Sequence, residues 1–236
     1  MRLNTLYALL LVVLMRSQAQ QDLGNKVFFF PKETDTAHVV LKPIMKTPLR
    51  KLSVCLRSYT DLSRQYGLFS LAMSDPKVYN AFLIMISPPH YCSVYINNEQ
   101  ISIKVDPEVG DWKHTCVTWD STSGVIQLWI NGKLYPRKVS NKGFSINTKI
   151  NIIVGQEQDL FGGGFNKSQS FVGDLTDIHM WDSVLTPGDI QKVMTNDHTG
   201  NVINWRSLNF DITGDALIQP NLQCVKQWQY TKYTQC

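Results

Sequence analysis

Short hydrophobic runs separated by polar turns make up most of the chain, a pattern typical of β-strands. The runs are rich in Val, Ile, Leu and Phe, and Ile101 to Val105 alternates between apolar and polar residues, as a half-buried strand does. The pattern predicts strands over 26–30, 38–41, 52–57, 82–86, 101–105, 116–119, 125–130, 133–135, 150–154 and 172–181.

The clearest local signal is Asn131-Gly132, which lies between two of these runs. It predicts a type I′ hairpin turn, because both central residues of that turn must adopt positive φ.

One segment has the features of a helix. Thr186 can cap it, Pro187 fits the first helical position, and Asp189 stands three residues after the cap. We expect a helix from about Pro187 to Asn196. Many short strands with one short helix predict an all-β fold, a sandwich of two antiparallel sheets.

The N-terminus resembles a secretory signal peptide. Leu6 to Met15 is an apolar run of ten residues, and Ser17 and Ala19 place small residues before a cleavage site. We therefore expect a signal peptide over 1–19, one domain over 20–220, a cysteine-containing tail over 221–236 and a secreted product. No later run reaches 18 apolar residues, so no membrane span is predicted.

Composition indicates a globular chain, with 43% hydrophobic and 18% charged residues. Without Arg2 and Arg16, 21 basic residues face 19 acidic ones. No basic run is long enough to constitute a nucleic-acid-binding motif.

Five cysteines lie after the signal segment, and a secreted context favours disulfides. The odd number leaves one thiol free or bonded between chains. No Cys-x-x-Cys pair exists, which argues against a structural zinc site. The sequence does not determine the pairing of Cys92, Cys224 and Cys236.

A glycine-rich stretch from Gly155 to Gln169 holds the main candidate chemistry. In an extended backbone Glu157 and Asp159 share one face roughly 6–7 Å apart, where their charges repel unless a cation lies between them. Calcium takes six to eight oxygen ligands, and Gln158 could offer its backbone carbonyl. From these residues alone, a calcium site and a solvated acidic loop remain equally open.

The same stretch allows other interpretations. A jelly-roll glycosidase would need a second Glu where Gly162 stands, and retaining hydrolysis requires two carboxylates. A phosphate-binding loop would need Gly-Lys-Ser/Thr and a following helix, and neither is present. Asn166-Lys167-Ser168 is a possible glycosylation sequon inside the candidate site, where a glycan would crowd the calcium face.

The stretch from His114 to Ser121 matches the pentraxin signature, His-x-Cys-x-Ser/Thr-Trp-x-Ser/Thr, at every fixed position. The chain is similar to the pentraxin family over about residues 20 to 220. Close counterparts of family segments occur at 28–33, 52–55, 154–159, 168–173 and 180–182.

This resemblance implies a lectin-like, flattened jelly roll that assembles as a homopentamer with two Ca²⁺ ions per subunit. It also implies a disulfide between Cys55 and Cys116, which would stabilise the fold by roughly 4 kcal/mol. A role in innate immunity and the acute phase, with complement components as partners, follows from the same resemblance.

The family's calcium ligands map onto Asn80, Glu157, Gln158, Asp159 and Gln169. Two further positions depart from the family pattern. Asn166 stands where the family has an acidic residue, so we expect the outer calcium to bind more weakly. Tyr79 replaces an Asp, and Asp75 on the same loop is a possible substitute.

The resemblance also places a ligand pocket at Met85, Tyr95 and Gln100. Met85 can supply a soft apolar wall, and Tyr95 would narrow the pocket. Gln100 removes a countercharge for a quaternary ammonium group.

The sequence therefore predicts a secreted calcium-dependent pattern-recognition protein, not an enzyme. Its ligands would be phosphate-bearing or anionic groups of the phosphocholine and phosphoethanolamine class on microbial or damaged-cell surfaces. Two alternatives are a jelly-roll glycosidase and a structural, disulfide-linked assembly protein with a degenerate calcium site.

Overall fold

A computed structural model describes residues 20–43, 45–107 and 111–222. The predicted signal peptide and the tail cysteines Cys224 and Cys236 lie outside the described residues. Within them, no helix is long and apolar enough to cross a membrane.

Fifteen strands form the body of the structure. In chain order they are β1 Lys26–Phe30, β2 His38–Leu41, β3 Lys51–Tyr59, β4 Tyr66–Met73, β5 Phe82–Ser87, β6 Tyr91–Ile96, β7 Glu99–Lys104, β8 Lys113–Asp120, β9 Val125–Ile130, β10 Lys133–Leu134, β11 Lys138–Val139, β12 Ile150–Val154, β13 Gly173–Trp181, β14 Phe210–Thr213 and β15 Leu217–Pro220.

These strands build two antiparallel sheets, as expected. The eight-stranded sheet has the order β10-β9-β8-β3-β13-β1-β15, with β11 also paired to β9. The seven-stranded sheet has the order β14-β2-β12-β4-β5-β6-β7. Each sheet combines hairpin-connected neighbours with strands that are distant in sequence, as in a jelly-roll sandwich.

The core lies between the two sheets and is rich in aromatic side chains. Phe28 of β1 meets Trp205 edge to face, with ring centroids 4.9 Å apart. Phe69 of β4 packs in the same manner on Phe82 of β5. All four rings are buried, so aromatic contacts add to the hydrophobic stabilisation of the sandwich.

Helix α1, Pro187–Met194, packs on the outer face of the eight-stranded sheet. The predicted cap is confirmed, since Thr186 and Asp189 form a reciprocal capping box. The helix ends two residues before the predicted Asn196, which adopts a positive φ of 60°. Short 3₁₀ turns occur at Lys167–Gln169 and Trp205–Ser207.

The hydrophobic pattern located ten strands and missed others. The predicted bounds are confirmed for β1, β2, β9 and β12. The predicted hairpin turn is also present, since Asn131 and Gly132 adopt φ of 49° and 79°. Strand β4 was missed because all eight of its residues are buried, which removes the alternation of a half-buried strand. Strands β6, β11, β14 and β15 were also not predicted.

The disulfide between Cys55 and Cys116 is present, joining directly opposed positions of β3 and β8. His114 lies beside it, but the two sulfurs are bonded to each other, so this cluster is not a metal site. Cys92 is a free thiol in the core, where burial raises its pKa to about 12. Because Cys224 and Cys236 lie outside the described residues, the pairing of the tail cysteines stays open.

Candidate functional site

The loop after β12 crosses the outer face of the seven-stranded sheet. It leaves the strand at Gly155, whose φ of 90° and close approach to the Phe30 ring require glycine. The Gln156 side chain then donates to the carbonyls of Thr34 (2.7 Å) and Ala37 (3.0 Å). The start of the loop is therefore fixed to the segment between β1 and β2.

Gln158 fixes the next part of the loop to the sheet. Its amide nitrogen donates to the Ser70 carbonyl (2.9 Å), and its amide oxygen accepts from Gly162 N (2.9 Å) and Asn151 Nδ2 (3.2 Å). The side chain thus points into the protein, as the alternation of an extended segment predicts. Among the described residues, no donor reaches the Gln158 backbone carbonyl.

Glu157 projects on the opposite side of the loop and is only 4% exposed. Asn80, at the entrance to β5, donates from Nδ2 to Glu157 Oε1 at 3.1 Å. The Asn80 backbone N–H donates to Asn98 Oδ1 at 2.8 Å, which fixes the position of Asn80. Its own Oδ1 is buried and has no hydrogen-bond partner within the described structure.

An unpaired buried carbonyl oxygen is costly, by about 1–3 kcal/mol, unless a donor or a cation satisfies it. The carboxylate of Glu157 is also unfavourable here. Burial raises its pKa, the hydrogen bond from Asn80 lowers it, and the charge of Asp159 raises it further. Since Asp159 is exposed, the pair has one buried and one solvated carboxylate. A cation would favour the charged form of both.

A glycine in strand β4, Gly67, leaves room for Glu157 and its loop to lie on the sheet. A Cβ on Gly67 would lie 3.3 Å from the Glu157 Cβ, closer than most side chains tolerate. Glycine therefore lets the loop lie directly on the sheet.

The three predicted pocket residues lie on the same face of the sheet. In the register, Met85 of β5 opposes Ser93, and Tyr95 of β6 opposes Gln100 of β7. Because opposed residues share a face, these side chains project toward the side occupied by the loop.

The three predicted pocket residues differ in solvent exposure. Met85 is 1% exposed and therefore lies beneath the surface. Tyr95 is half-buried, and burial raises its pKa, with further contributions from the charges of Glu157 and Tyr79. Gln100 is exposed and donates to Ser93 Oγ at 3.0 Å. The structure thus brings Tyr95 within the electrostatic influence of Glu157, whereas Gln100 lies exposed on the neighbouring strand.

The remaining predicted calcium ligands form hydrogen bonds with residues close to them in sequence. Asn166 Oδ1 accepts from both the backbone and the hydroxyl of Ser168. Gln169 is half-buried in the same 3₁₀ turn, and its N–H donates to the Asn166 carbonyl. Asp75 is exposed and accepts from the Lys77 N–H at 3.0 Å.

The donor set at the centre fits a calcium ion. It offers the Glu157 and Asp159 carboxylates, the unpaired Asn80 Oδ1 and the Gln158 carbonyl, all of them oxygens. Hard oxygen ligands are the type that Ca²⁺ prefers. The unsatisfied Asn80 oxygen beside a buried carboxylate is the feature that a cation would resolve.

Sequence reasoning missed the residues that support this set. Ser70 accepts from Gln158, Asn98 positions Asn80, and Gly67 makes room for Glu157. A signal existed for Asn98, because Asn97-Asn98 is a two-residue turn in which both residues adopt positive φ. No local pattern marks Ser70 or Gly67, since their roles depend on sheet register.

Comparisons with known proteins agree with this fold. The sequence model of the Pentaxin family matches residues 26–220. The chain is 53% identical over 233 residues to C-reactive protein of Xenopus laevis, covering 98% of each chain. It is 40% identical over 211 residues to serum amyloid P-component of Rattus norvegicus, covering 89% of this chain and 92% of the relative.

A solved structure gives the same result. The crystal structure of a native heptameric SAP-like pentraxin from Limulus polyphemus superimposes with a TM-score of 0.76 at 26% identity. The match covers 86% of this chain and 99% of that chain. The sequence match covers nearly the whole length, and the fold is shared. This chain therefore belongs to the pentraxin family.

Proposed function

We propose that this chain is a secreted, calcium-dependent pattern-recognition protein of innate immunity. Its ligands would be phosphate-bearing or anionic groups of the phosphocholine and phosphoethanolamine class on microbial or damaged-cell surfaces. The family membership supports the general role, and the local geometry supports calcium.

One observation carries the proposal. Asn80 presents a buried, unpaired Oδ1 next to the carboxylate of Glu157, whose pKa is raised by burial and by Asp159. The cost of leaving these groups unsatisfied is recovered when a cation binds. When bound, calcium would supply positive charge that attracts a phosphate group.

The chain's own residues would then select the ligand. Tyr95 feels the charge of Glu157, and we expect its ring to limit the space on that side, whereas Gln100 provides hydrogen bonding without charge. A pocket without a carboxylate at Gln100 has less attraction for a quaternary ammonium group. We therefore expect recognition to depend more on the phosphate than on the choline methyl groups.

Assembly into a ring would strengthen weak individual sites. The Limulus polyphemus pentraxin is heptameric, and we propose a closed ring for this chain, with a homopentamer as the expected form. Sites on one face of a ring bind a repetitive surface with avidity far above that of one site. Complement components are the proposed partners of the assembled ring.

A glycosidase activity is not supported by the loop. The second carboxylate would have to replace Gly162, which adopts φ of 79° and donates its N–H to Gln158. A Glu at that position would be strained, because L-residues disfavour this backbone conformation. The proposed function is therefore recognition rather than hydrolysis.

The test is binding of the purified assembly to phosphoethanolamine-coated beads with and without calcium. We expect retention in calcium and release by a chelator. Glu157→Gln should abolish retention, because it removes a central carboxylate. Asp182→Asn is the matched control: Asp182 is exposed after β13 of the other sheet and should leave binding unchanged. Retention that persists in chelator would contradict the proposal.

A further inference from the structure

The sequon Asn166-Lys167-Ser168 is a feature that the proposed function does not use. It is the only Asn-x-Ser/Thr sequence after residue 19. It lies where the family pattern has an acidic calcium ligand, so this chain combines loss of a charge with gain of a glycan acceptor.

The geometry of the turn presents the acceptor atom. Asn166, Lys167 and Ser168 are all exposed. Asn166 Oδ1 accepts from Ser168 N (3.0 Å) and from Ser168 Oγ (2.8 Å), so the amide oxygen is directed into the turn. No acceptor among the described residues reaches Asn166 Nδ2, which leaves the nitrogen available to a modifying enzyme.

We propose that Asn166 carries an N-linked glycan and that this glycan closes the outer part of the calcium site. The inference rests on the proposed function for its second part only. In the modification, Asn166 Nδ2 loses one proton and bonds to C1 of the first sugar of a polyprenyl-diphosphate-linked oligosaccharide. The bond from C1 to the diphosphate oxygen breaks, and the polyprenyl diphosphate leaves with the electron pair.

Two features of this chain disfavour an outer calcium ion when Asn166 is glycosylated. First, Asn166 contributes no charge and its Oδ1 is already engaged by Ser168. Second, the loop is compact: the Cβ position of Gly164, two residues before Asn166, lies 2.9 Å from the Asp159 Cβ. Because Asn166 is only two residues from that contact, we expect a bulky hydrated glycan on it to crowd the space beside Asp159. The glycosylated chain then binds one calcium ion through the inner donors.

The first test asks whether the modification exists. The full chain is expressed in a eukaryotic secretory host, and the secreted protein is measured by intact-mass spectrometry. We expect the mass of one N-glycan, removed by peptide N-glycosidase F. Ser168→Ala should abolish this mass, whereas Lys167→Ala preserves the sequon and should retain it. An unmodified wild-type mass would overturn the proposal.

The second test asks what the glycan does. Peptide N-glycosidase F converts the glycosylated Asn to Asp, so digestion both removes the glycan and supplies the missing carboxylate. Ligand charge sets calcium affinity, so digested wild type and Asn166→Asp should gain a second calcium ion, bound at least about tenfold more tightly than by any outer site of the glycosylated protein.

Two controls keep the results interpretable. Digestion of folded wild-type protein gives the comparison even if a variant is not secreted. Ser168→Ala separates the loss of the glycan from the gain of charge, and should bind the second ion more tightly than glycosylated wild type does. If the protein binds two ions equally well before and after digestion, the proposal that the glycan closes the outer part of the calcium site is wrong. Absence of calcium binding in every form would instead refute the proposed function, with the glycan mass unaffected.

Discussion

Two buried polar atoms, one on each sheet, differ in their hydrogen bonding. On the eight-stranded sheet, His179 Nδ1 accepts from the backbone N–H groups of Gly200 and Trp205, each at 3.3 Å. On the seven-stranded sheet, Asn80 Oδ1 has no partner among the described residues. The satisfied atom indicates a structural role. The unsatisfied Asn80 oxygen lies beside the Glu157 carboxylate, and this combination is what points to a cation.

His179 makes stability dependent on pH. Burial, with smaller contributions from the charges of Arg206 and His198, lowers its pKa to about 4. The unfolded chain takes up this proton near pH 6.5 and the folded chain does not, so stability is present above that pH and falls as the pH drops toward about 4. We expect His179 to account for about 2 kcal/mol of the loss between pH 6.5 and 5.

The measurement is urea unfolding at pH 7.5 and 5.0 with calcium removed. His179→Asn places a non-titrating acceptor near the Nδ1 position, so it should reduce the pH dependence by that amount. The exposed His90 provides the matched control, and His90→Asn should leave the difference unchanged. A pH dependence equal in His179→Asn and wild type would show that this imidazole is not the cause.

At the scale of elements, the loop from Gly155 to Gly164 has its hydrogen-bonded anchors on one side and its carboxylates on the other. Gln156 and Gln158 fix it to the sandwich. Glu157 and Asp159 alternate with them and project away from these anchors. The period-2 alternation of an extended segment thus separates residues that hold the loop from residues that could hold a metal.

The turn at Gly155 should be highly sensitive to substitution. In Gly155→Ala the new Cβ would lie 2.1 Å from the Phe30 ring, at a φ of 90° that alanine disfavours. We expect a loss of roughly 3 kcal/mol of unfolding free energy and weaker calcium binding.

Gly163→Ala is the matched control for this prediction. Gly163 lies in the same loop, and a Cβ there meets nothing within 4 Å. Chemical denaturation of both variants gives the comparison, and similar stability of the two would refute the assigned role of Gly155.

Sequence alone predicted the elements with a distinct local pattern. The alternation of Glu157 with Gln158 and the capping box at Thr186 are local properties, and both were predictable. The burial of Met85 and the contact between Asn80 and Glu157 depend on how distant strands align, a separation of 77 residues for that pair. The prediction of a calcium site came from combining two carboxylates with the family signature, because the carboxylates alone also fit a solvated loop.

At the scale of the molecule, the sandwich presents two different outer faces. Helix α1 covers part of the eight-stranded sheet, and the candidate calcium loop lies on the seven-stranded sheet. In the proposed ring, cyclic symmetry would place every calcium loop on one side and every helix on the other. One side would then meet the ligand surface, leaving the helix side for effector partners.

The most direct test of this account is a calcium titration of the purified, assembled protein, counting ions per protomer. The account predicts at least one ion per protomer, lost in Glu157→Gln and retained in Asp182→Asn. Absence of calcium uptake by the wild-type assembly, or uptake unchanged by Glu157→Gln, would contradict it.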